Sequence, residues 1–313
     1  MKKVLVVGAS GSLGKGTISE LKNNFRITGT YTSRPFKMDG VVSVQLDITD
    51  KNSFEKLDDD YDVVFLVAGA MPAMMKGYTP QSYIDVNVSG VLNVLEFCRE
   101  NKIKKLIYIQ TFSDASASFY TGVPIQDDGP RTLTLTGDHA VYAISKVAAC
   151  DLIEHYHQEY GLQTIIFRIP TVYCNDNNYD YYVDGCLKTK AYVKMIQSIL
   201  NDKEIEVWGN PENAKDMPYI KDFARLVGKA IEHPEAQGVF NAGTGSPISL
   251  EKLVDSMIDV FSPNDIVRKN YKPESPSQPN FTFDMKKTEK TFDYKPIWDL
   301  KSFLIDIKST FLK

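Results

Sequence analysis

Cysteine and histidine are scarce in this chain, with four of each among 313 residues. The cysteines form no C-x-x-C pair and no spacing typical of metal ligands. His155 and His157 are two residues apart, so on a helix they would point to different faces rather than chelate one ion. We therefore predict no disulfide framework and no metal site, and the cytoplasm is the expected compartment.

Long hydrophobic runs and an excess of positive charge are also absent. No apolar run approaches the roughly 18 residues that a membrane-spanning helix needs. The apolar stretch at the amino terminus ends at Gly8, too early for a signal-peptide core of about 7–15 residues. The formal net charge is −4, so no basic surface for the phosphates of a nucleic acid is expected. The sequence thus predicts a globular protein that binds neither membranes nor nucleic acids.

Short apolar runs alternate with amphipathic stretches through the first half of the chain. The run 63–67 is apolar on both faces, as a central strand of a parallel sheet is. Strands that alternate with helices predict an α/β fold with a doubly wound parallel sheet of the Rossmann type. The predicted strands are 3–7, 26–31, 42–45, 62–67, 105–110 and 163–168, and the predicted helices are near 13–22, 52–57, 81–100 and 141–159.

A strand, a glycine-rich turn and the start of a helix follow one another in the segment VLVVGASGSLG. Gly8 permits a tight turn, Gly11 lets the backbone approach a pyrophosphate, and Gly14 lets the helix pack close to the sheet. Such a turn can need glycine for structural reasons alone, but its place between a strand and a helix favours dinucleotide binding. The predicted contacts with the phosphates are Gly8, Ser10, Gly11, Ser12, Leu13 and Gly14.

The residues after the second predicted strand bear on which dinucleotide is bound. A carboxylate about 20 residues past the turn would bind the ribose 2′-hydroxyl of NAD, but no acid stands there. The hydroxyls of Thr32 and Ser33 and the guanidinium of Arg34 suit a 2′-phosphate, because arginine donates paired hydrogen bonds to that group. Arg34 could instead be a solvated loop residue. The sequence favours NADP(H), with NAD as the alternative.

Tyr142 and Lys146 lie four residues apart at the start of a predicted helix, which places both side chains on one face. The pKa of a free tyrosine is about 10, and an ammonium group a few ångströms away would lower it. Such a tyrosine can take or return the proton of an alcohol while a hydride moves to or from a nicotinamide. The spacing alone usually means a surface pair, but joined to the glycine turn it predicts an active site.

Together these motifs resemble the extended short-chain dehydrogenase/reductase family, the NAD-dependent epimerase/dehydratase group, over nearly the whole chain. The resemblance implies that Thr111 is a third catalytic residue, with Ser113 as a near rival. Asp47 could instead cap the following helix, and Asn87 could be a plain polar helix residue. The implied cofactor contacts are Asp47, Ile48, Val67, Ala68, Gly69, Asn87, Tyr142, Lys146, Pro170 and Val172, and the implied substrate contacts are Ser113, Thr171 and Lys215.

Some positions depart from the family pattern. The family's 4,6-dehydratases carry Asp-Glu after the catalytic threonine, where this chain has Phe112 and Ser113, so dehydration is not expected. The arginine that many members use on a substrate diphosphate is replaced by Lys215, which can still meet a phosphate as a point charge. Thr171 replaces the asparagine of another family motif. These changes weaken the expectation of a nucleotide-sugar substrate without removing it.

After Arg168 the regular alternation fades. A polar loop over 175–184, a helix over 187–200, and a helix over 249–261 capped by Ser249 are predicted. We expect an NAD(P)-binding Rossmann domain over 1–170, to which 220–247 returns. Residues 171–313 are expected to form mainly a smaller substrate-binding lobe at the carboxyl ends of the strands.

The expected function is that of a nucleotide-sugar epimerase or ketoreductase with Tyr142 as acid and base. An epimerase would leave the cofactor unchanged, whereas a reductase would consume NADPH. A reductase of a non-sugar carbonyl and a non-catalytic NADP-binding sensor on the same fold are the alternatives. Tyrosines and acids in the loop 175–184 favour a polyhydroxylated ligand. The resemblance also implies a homodimer formed through 81–100 and 141–159.

Overall fold

A computed structural model describes residues 1–137, 139–183, 185–201, 204–262 and 267–311 of the chain. The strands are β1 (Lys3–Val7), β2 (Arg26–Tyr31), β3 (Val42–Gln45), β4 (Val63–Leu66), β5 (Lys105–Thr111), β6 (Gln163–Ile169), β7 (Asp180–Val183), β8 (Cys186–Thr189), β9 (Ile205–Trp208), β10 (Ala214–Lys215), β11 (Gly238–Asn241), β12 (Ile248–Ser249) and β13 (Lys269–Lys272). The α-helices are α1 (Ser12–Leu21), α2 (Pro80–Ile84), α3 (Val91–Glu100), α4 (His139–Tyr160), α5 (Ala191–Leu200), α6 (Ile220–Glu232), α7 (Leu250–Phe261), α8 (Lys286–Phe292) and α9 (Leu300–Phe311).

One parallel sheet of seven strands has the order β11-β6-β5-β4-β1-β2-β3. The chain runs outward from β1 to β3 and then crosses back to continue from β4 to β6. The predicted α/β fold with a doubly wound parallel sheet is therefore confirmed. Ligands bind in such sheets outside the carboxyl ends of the strands where the order reverses, which is between β1 and β4 here.

Helices cover both faces of this sheet. On one face α1 packs against α6, and on the other α3 packs against α4. Alternate residues of β1 enter two separate cores: Val4 and Val6 enter the first, and Leu5 and Val7 enter the second. Burial on both faces is the pattern of a central parallel strand. Within the described residues, no helix is long and apolar enough to cross a membrane.

The second half of the chain contributes to the sheet and to smaller structures. β11 is the edge strand next to β6, whereas β7 pairs with β8, β9 with β13, and β10 with β12. Ser249 caps α7 as predicted, since its Oγ accepts a hydrogen bond of 3.2 Å from the N–H of Lys252. The division into a domain over 1–170, with 220–247 returning, and a lobe over 171–313 stays a prediction.

The segment around the polar loop differs from its prediction. The predicted loop 175–184 contains β7, and the predicted helix 187–200 begins only at Ala191 because its first residues form β8. Gly185 adopts a φ of +74°, which a glycine permits at the turn of this hairpin. Asp184, part of the same predicted loop, lies outside the described residues. The predicted helix 52–57 is a 3₁₀ helix, Lys51–Lys56.

The predicted helix 81–100 is continuous but not uniform. α2 passes through a π-helical turn, Asp85–Gly90, into α3. A Cβ on Gly90 would lie 2.7 Å from Cγ1 of Ile48, so this turn passes very close to the loop after β3. Single π turns within helices are frequent at functional sites. This one carries Asn87 and borders the carboxyl edge of the sheet.

Candidate active site

A cleft of about 410 Å³ lies at the carboxyl edge of the sheet, where β1 to β4 end. Seven of the predicted cofactor contacts line it: Gly8, Ser10, Thr32, Asp47, Ile48, Ala68 and Gly69. Other lining residues were not predicted from the sequence, among them Thr30, Tyr31, Thr49, Ser82, Asp85 and Val86. Ser82, Asp85 and Val86 recur at helical spacing just before Asn87, a signal that could have found them.

The three glycines of the first turn meet different neighbours. Gly8 has a φ of +94°, and a Cβ there would lie 2.6 Å from the backbone nitrogen of Ala68. A Cβ on Gly14 would lie 2.6 Å from the carbonyl oxygen of Gly8. On Gly11, a Cβ would meet only that same oxygen, at an ordinary 3.6 Å. Packing therefore explains why positions 8 and 14 are glycines. Packing does not require a glycine at position 11, where the missing side chain leaves open space in front of α1.

The amino-terminal end of α1 is free to bind an anion. Gly11 is the N-cap and offers no side chain, and the first turn, which begins with Ser12 and Leu13, carries no acidic residue. The first N–H groups of a helix have no partner within it, and the helix dipole adds a partial positive charge at this end. These features suit the pyrophosphate of a dinucleotide.

Thr32, Ser33 and Arg34 are exposed residues that follow β2. Thr32 lines the cleft, and its Oγ1 donates a hydrogen bond of 3.3 Å to the carbonyl oxygen of Leu46. Ser33 and Arg34 lie outside the cleft lining. Of these three predicted contacts, Thr32 reaches the cleft. Arg34, two residues after Thr32, is exposed to solvent.

Asp47 lines the cleft and also shapes the turn after β3. Its Oδ1 accepts hydrogen bonds from the N–H of Thr49 at 3.0 Å and from its hydroxyl at 2.8 Å. The following 3₁₀ helix is capped by Asp50, whose Oδ1 accepts a 3.0 Å bond from the N–H of Asn52. Asp47 thus stabilises the loop locally, and its second carboxylate oxygen has further capacity to accept hydrogen bonds.

Asn87 ties one wall of the cleft to α4 and is 1% exposed. Its side chain exchanges two hydrogen bonds with the backbone of Ala70, at 2.8 and 2.9 Å. Its Nδ2 also donates to Oγ of Ser145 at 3.0 Å, and that hydroxyl donates to the carbonyl oxygen of Tyr142 at 2.7 Å. Asn87 therefore fixes the loop after β4 to the helix that carries the predicted acid/base tyrosine.

Thr111 and Tyr142 are brought together by the end of β5 and the first turn of α4. Their side chains are neighbours, and Oγ1 of Thr111 donates a hydrogen bond of 3.1 Å to Oγ of Ser113. Burial raises the pKa of Tyr142 to about 12, and the neighbouring hydroxyl of Thr111 opposes this rise. At neutral pH the phenol is therefore protonated.

Lys146 lies one turn further along α4, and its ammonium group contacts β5. Its Nζ donates a hydrogen bond of 2.6 Å to the carbonyl oxygen of Ile109 and lies 4.0 Å from the ring centroid of Tyr108. Burial lowers the pKa of Lys146 to about 8. Burial, Thr111 and Tyr83 set the pKa of Tyr142 in this structure. A lowering of that pKa by Lys146 stays a prediction.

The remaining predicted residues lie outside the lining of the cleft. Pro170 is buried, Thr171 is exposed and Val172 is half-buried, directly after β6. Val67 is half-buried and donates its N–H to the carbonyl oxygen of Val7 at 3.0 Å. Lys215 is half-buried in β10, and burial alone accounts for its lowered pKa, so no acid compensates its charge among the described residues.

A buried ion pair stabilises the backbone around Thr111. This pair was not predicted from the sequence. Nε of Arg168 donates to Oδ1 of Asp114 at 2.8 Å, and both side chains are at most 3% exposed. Gln110 donates to Oδ2 of Asp114 at 3.2 Å and accepts a 3.0 Å bond from the N–H of Thr111. The network therefore fixes the backbone at the predicted catalytic threonine.

The fold and this arrangement define a class: an α/β protein with a dinucleotide-type cleft at the carboxyl edge of its sheet and a Thr–Tyr pair beside it. The chain belongs to the NAD-dependent epimerase/dehydratase family, whose family model matches residues 4–243. The resemblance seen in the sequence is thus confirmed. The protein is an enzyme of the extended short-chain dehydrogenase/reductase type.

Sequence relatives agree with this membership, and solved structures show the same fold. A UDP-glucuronate 4-epimerase of Thermodesulfobacterium geofontis is 28% identical over 67% of this chain and 61% of its own length. The structure of a UDP-glucose 4-epimerase from Thermotoga maritima matches 99% of this chain and 98% of its own, with a TM-score of 0.79 and 19% identity. A UDP-glucuronic acid 4-epimerase from Bacillus cereus in complex with NAD matches 98% of this chain and 99% of its own, with a TM-score of 0.73 and 22% identity.

Proposed function

We propose that this enzyme is a nucleotide-sugar epimerase that inverts a carbinol centre by hydride transfer. The observation that carries the proposal is the placement of Thr111, at the end of β5, beside Tyr142, in the first turn of α4, with the dinucleotide-type cleft at the same edge of the sheet. The names of the relatives, which are UDP-sugar 4-epimerases, support the substrate class. A ketoreductase acting on a nucleotide-sugar is the second candidate, favoured by the absence of an acid after β2.

In the proposed mechanism, the phenolate of Tyr142 accepts the proton of the sugar hydroxyl as the carbinol is oxidised and returns it when the ketone is reduced on the other face. Because burial keeps the phenol protonated at neutral pH, we propose that the ammonium group of Lys146 lowers the pKa of Tyr142 enough to give this phenolate. Thr111 orients the reacting oxygen, because its hydroxyl can donate a hydrogen bond to that oxygen. A bound NAD(P) supplies the chemistry of accepting and returning the hydride. The alcohol loses one hydride and one proton and regains both, so the cofactor shows no net change.

The residues present fit a dinucleotide. The open space at Gly11 and the uncapped start of α1 suit the pyrophosphate. The part of the cleft lined by the ends of β2 and β3 suits an adenosine. We propose NADP(H) as the preferred form, with Thr32 at the cleft rim and Arg34 binding the 2′-phosphate, because no carboxylate there repels it. Titration calorimetry of wild type and Arg34→Ala with NADP and NAD tests this. A loss of affinity confined to NADP supports the assignment, and equal affinities in both proteins contradict it.

Lys215 is proposed to bind the substrate diphosphate. Its half-buried ammonium group has no described counter-charge, and an anion beside it would relieve the burial that lowers its pKa. Lys215→Met should raise KM for a nucleotide-sugar at least tenfold at similar kcat, whereas Lys215→Arg should retain most of the affinity. A KM unchanged in Lys215→Met would remove this residue from the substrate site.

The cofactor balance separates the two candidate reactions. Wild-type protein is incubated with UDP-glucose, UDP-N-acetylglucosamine or UDP-glucuronate and a small amount of NAD or NADP, and product formation is followed by proton NMR while absorbance at the nicotinamide band is recorded. Conversion to an epimer without net change in absorbance supports the epimerase. Stoichiometric consumption of NADPH with a keto-sugar supports the ketoreductase instead.

The predicted homodimer is part of the same proposal. Ile84, Leu92 and Ile144 are apolar side chains exposed by 37–40% on α2, α3 and α4, the region assigned to the interface. Sedimentation equilibrium measures the assembly directly. A mass of twice the chain supports the dimer, and a stable monomer at micromolar concentration contradicts it.

A further inference from the structure

The charged group of Lys146 is held between a tyrosine ring and a backbone carbonyl oxygen of β5. Its Nζ lies 4.0 Å from the ring centroid of Tyr108 and donates a 2.6 Å hydrogen bond to the carbonyl oxygen of Ile109. Lys146 is 6% exposed and Tyr108 is fully buried, so water contributes little to solvating this ammonium group. The ring face and the carbonyl oxygen replace that water with two sources of negative potential.

The ring of Tyr108, and not its hydroxyl, makes the contact with Lys146. Its hydroxyl is buried and has no hydrogen-bond partner among the described residues. A buried polar group without a partner destabilises a protein, so phenylalanine would fill this position at lower cost. The ring face, in contrast, is occupied by the ammonium group of Lys146.

From this geometry we propose that Tyr108 is a positioning residue, which together with the carbonyl of Ile109 holds the Lys146 side chain in its charged form inside the protein. The relevance to catalysis depends on the proposed function, in which a charged lysine near Tyr142 assists the proton transfer. The contact between Tyr108 and Lys146 does not depend on it.

The direction in which the Tyr108 ring shifts the pKa of Lys146 follows from the groups that face this lysine. Burial lowers the pKa of Lys146 to about 8, while the ring of Tyr108 favours the charged form and so acts in the opposite direction. The neighbouring titratable groups are Cys150 and Tyr142 on α4 and Tyr108 on β5. Burial raises the pKa of Cys150 and of Tyr142 to about 12 and that of Tyr108 well above its usual value of 10. None of the three changes its charge between pH 6 and 9, so a titration in that range belongs to Lys146.

The test compares Tyr108→Leu, which removes the ring, with Tyr108→Phe, which keeps it. Phe97→Leu is the matched control, because it removes a buried ring from the same core cluster away from Lys146. Cofactor-free proteins labelled with ¹³C at lysine Cε are titrated by NMR, and the Lys146 signal is assigned by its loss in Lys146→Arg.

We expect an upfield ring-current shift of the Lys146 methylene protons in wild type, Tyr108→Phe and Phe97→Leu, and its loss in Tyr108→Leu. Removing the ring should lower the titration midpoint by about one pH unit, since a desolvated cation–π contact stabilises the cation to about that extent. An unshifted Lys146 signal in wild type, or an equal midpoint in Tyr108→Leu and wild type, would overturn the proposal. If Tyr108→Leu does not fold, the ring-current shift in wild type and Tyr108→Phe decides.

Turnover distinguishes this proposal from the proposed function. If the enzyme epimerises nucleotide-sugars, the alkaline limb that reports charged Lys146 should move toward acid in Tyr108→Leu and stay in place in Phe97→Leu. An unmoved limb contradicts the positioning role while the function stands. If no nucleotide-sugar is converted, the function fails, and the NMR titration still decides on Tyr108.

Discussion

Replacing Gly11 by alanine should separate ligand binding from folding in the glycine-rich turn. The added Cβ would lie 3.6 Å from the carbonyl oxygen of Gly8, an ordinary contact, and the φ of −77° at this N-cap is open to alanine. Glycine is a better N-cap than alanine by less than about 1 kcal/mol. Melting entropies near 2.1 cal/mol/K per residue imply a loss of only about 1–2 °C in Tm for 313 residues.

The same methyl group would stand in front of the first N–H groups of α1, where the pyrophosphate is proposed to bind. The interaction of an anion with a helix terminus contributes up to about 2 kcal/mol. If half of it is lost and the methyl group also clashes with the pyrophosphate, dinucleotide affinity should fall roughly tenfold. Calorimetric titration and differential scanning calorimetry measure the two effects separately. The reasoning is refuted if Gly11→Ala binds NADP and NAD as wild type does.

Gly14→Ala is the control for this experiment. Its Cβ would lie 2.6 Å from the carbonyl oxygen of Gly8 and 2.8 Å from Cα of Ala9, both backbone atoms. The backbone must shift to accommodate it, and such overpacking costs about 1–3 kcal/mol. Gly14→Ala should therefore lower Tm more than Gly11→Ala does. Equal losses of Tm would mean that Gly11 is a structural glycine like Gly14.

Three other changes test other parts of the account. Tyr142→Phe should reduce turnover by about 10²–10⁴-fold and leave cofactor affinity within twofold, and retained turnover would exclude this tyrosine as the acid and base. Arg168→Met should lower the free energy of unfolding by about 3–5 kcal/mol in urea, because it leaves the buried carboxylate of Asp114 without its partner, and a loss below 1 kcal/mol would contradict this. Hydrogen bonds from Arg99 and Tyr156 lower the pKa of Glu96 to about 2. The ionised Glu96 therefore contributes fully to the stability of the folded protein above its unfolded pKa of about 4.3, and this contribution is lost as the pH falls toward 2. The difference in Tm between wild type and Glu96→Gln should vanish over that range, and a constant difference would contradict the assignment.

Most of the sheet could be predicted from the sequence because its central strands β1, β4, β5 and β6 are buried on both faces, whereas the edge strand β3 is largely exposed. The central strands appear as short apolar runs, and each of the six predicted strands matches a strand of the sheet to within one residue at either end. The glycine turn was also predictable, since Gly8 and Gly14 meet backbone atoms of the turn itself and of the adjacent loop. In both cases the signal lies within a short stretch of sequence.

The hairpin β7–β8 could not be predicted in the same way. Its residues are polar or tyrosine-rich and half exposed, so they show no clear alternation of buried and exposed positions. Its position depends on a distant segment, since a Cβ on Gly185 would lie 2.7 Å from the carbonyl oxygen of Lys76. Contacts of this kind become visible only once the fold brings the two segments together.

The interior of the candidate site shows the same limit. The spacing of Tyr142 and Lys146 places both side chains on one helical face, but it does not determine where a four-carbon lysine stem directs its ammonium group. The ion pair of Arg168 and Asp114 joins residues 54 positions apart, and it forms because β5 and β6 are paired with Gln110 beside Arg168. Neither contact has a local signature in the sequence.

The central claim, hydride transfer at a nucleotide-sugar carbinol with Tyr142 as acid and base, is tested most directly with a UDP-sugar deuterated at C4. The substrate is incubated with the enzyme and its preferred dinucleotide, and the product is analysed by NMR and mass spectrometry. We predict that the C4 epimer forms with the deuterium retained at C4 and that Tyr142→Phe forms almost none. Loss of the deuterium to water, or an epimer formed equally well by Tyr142→Phe, would contradict the account.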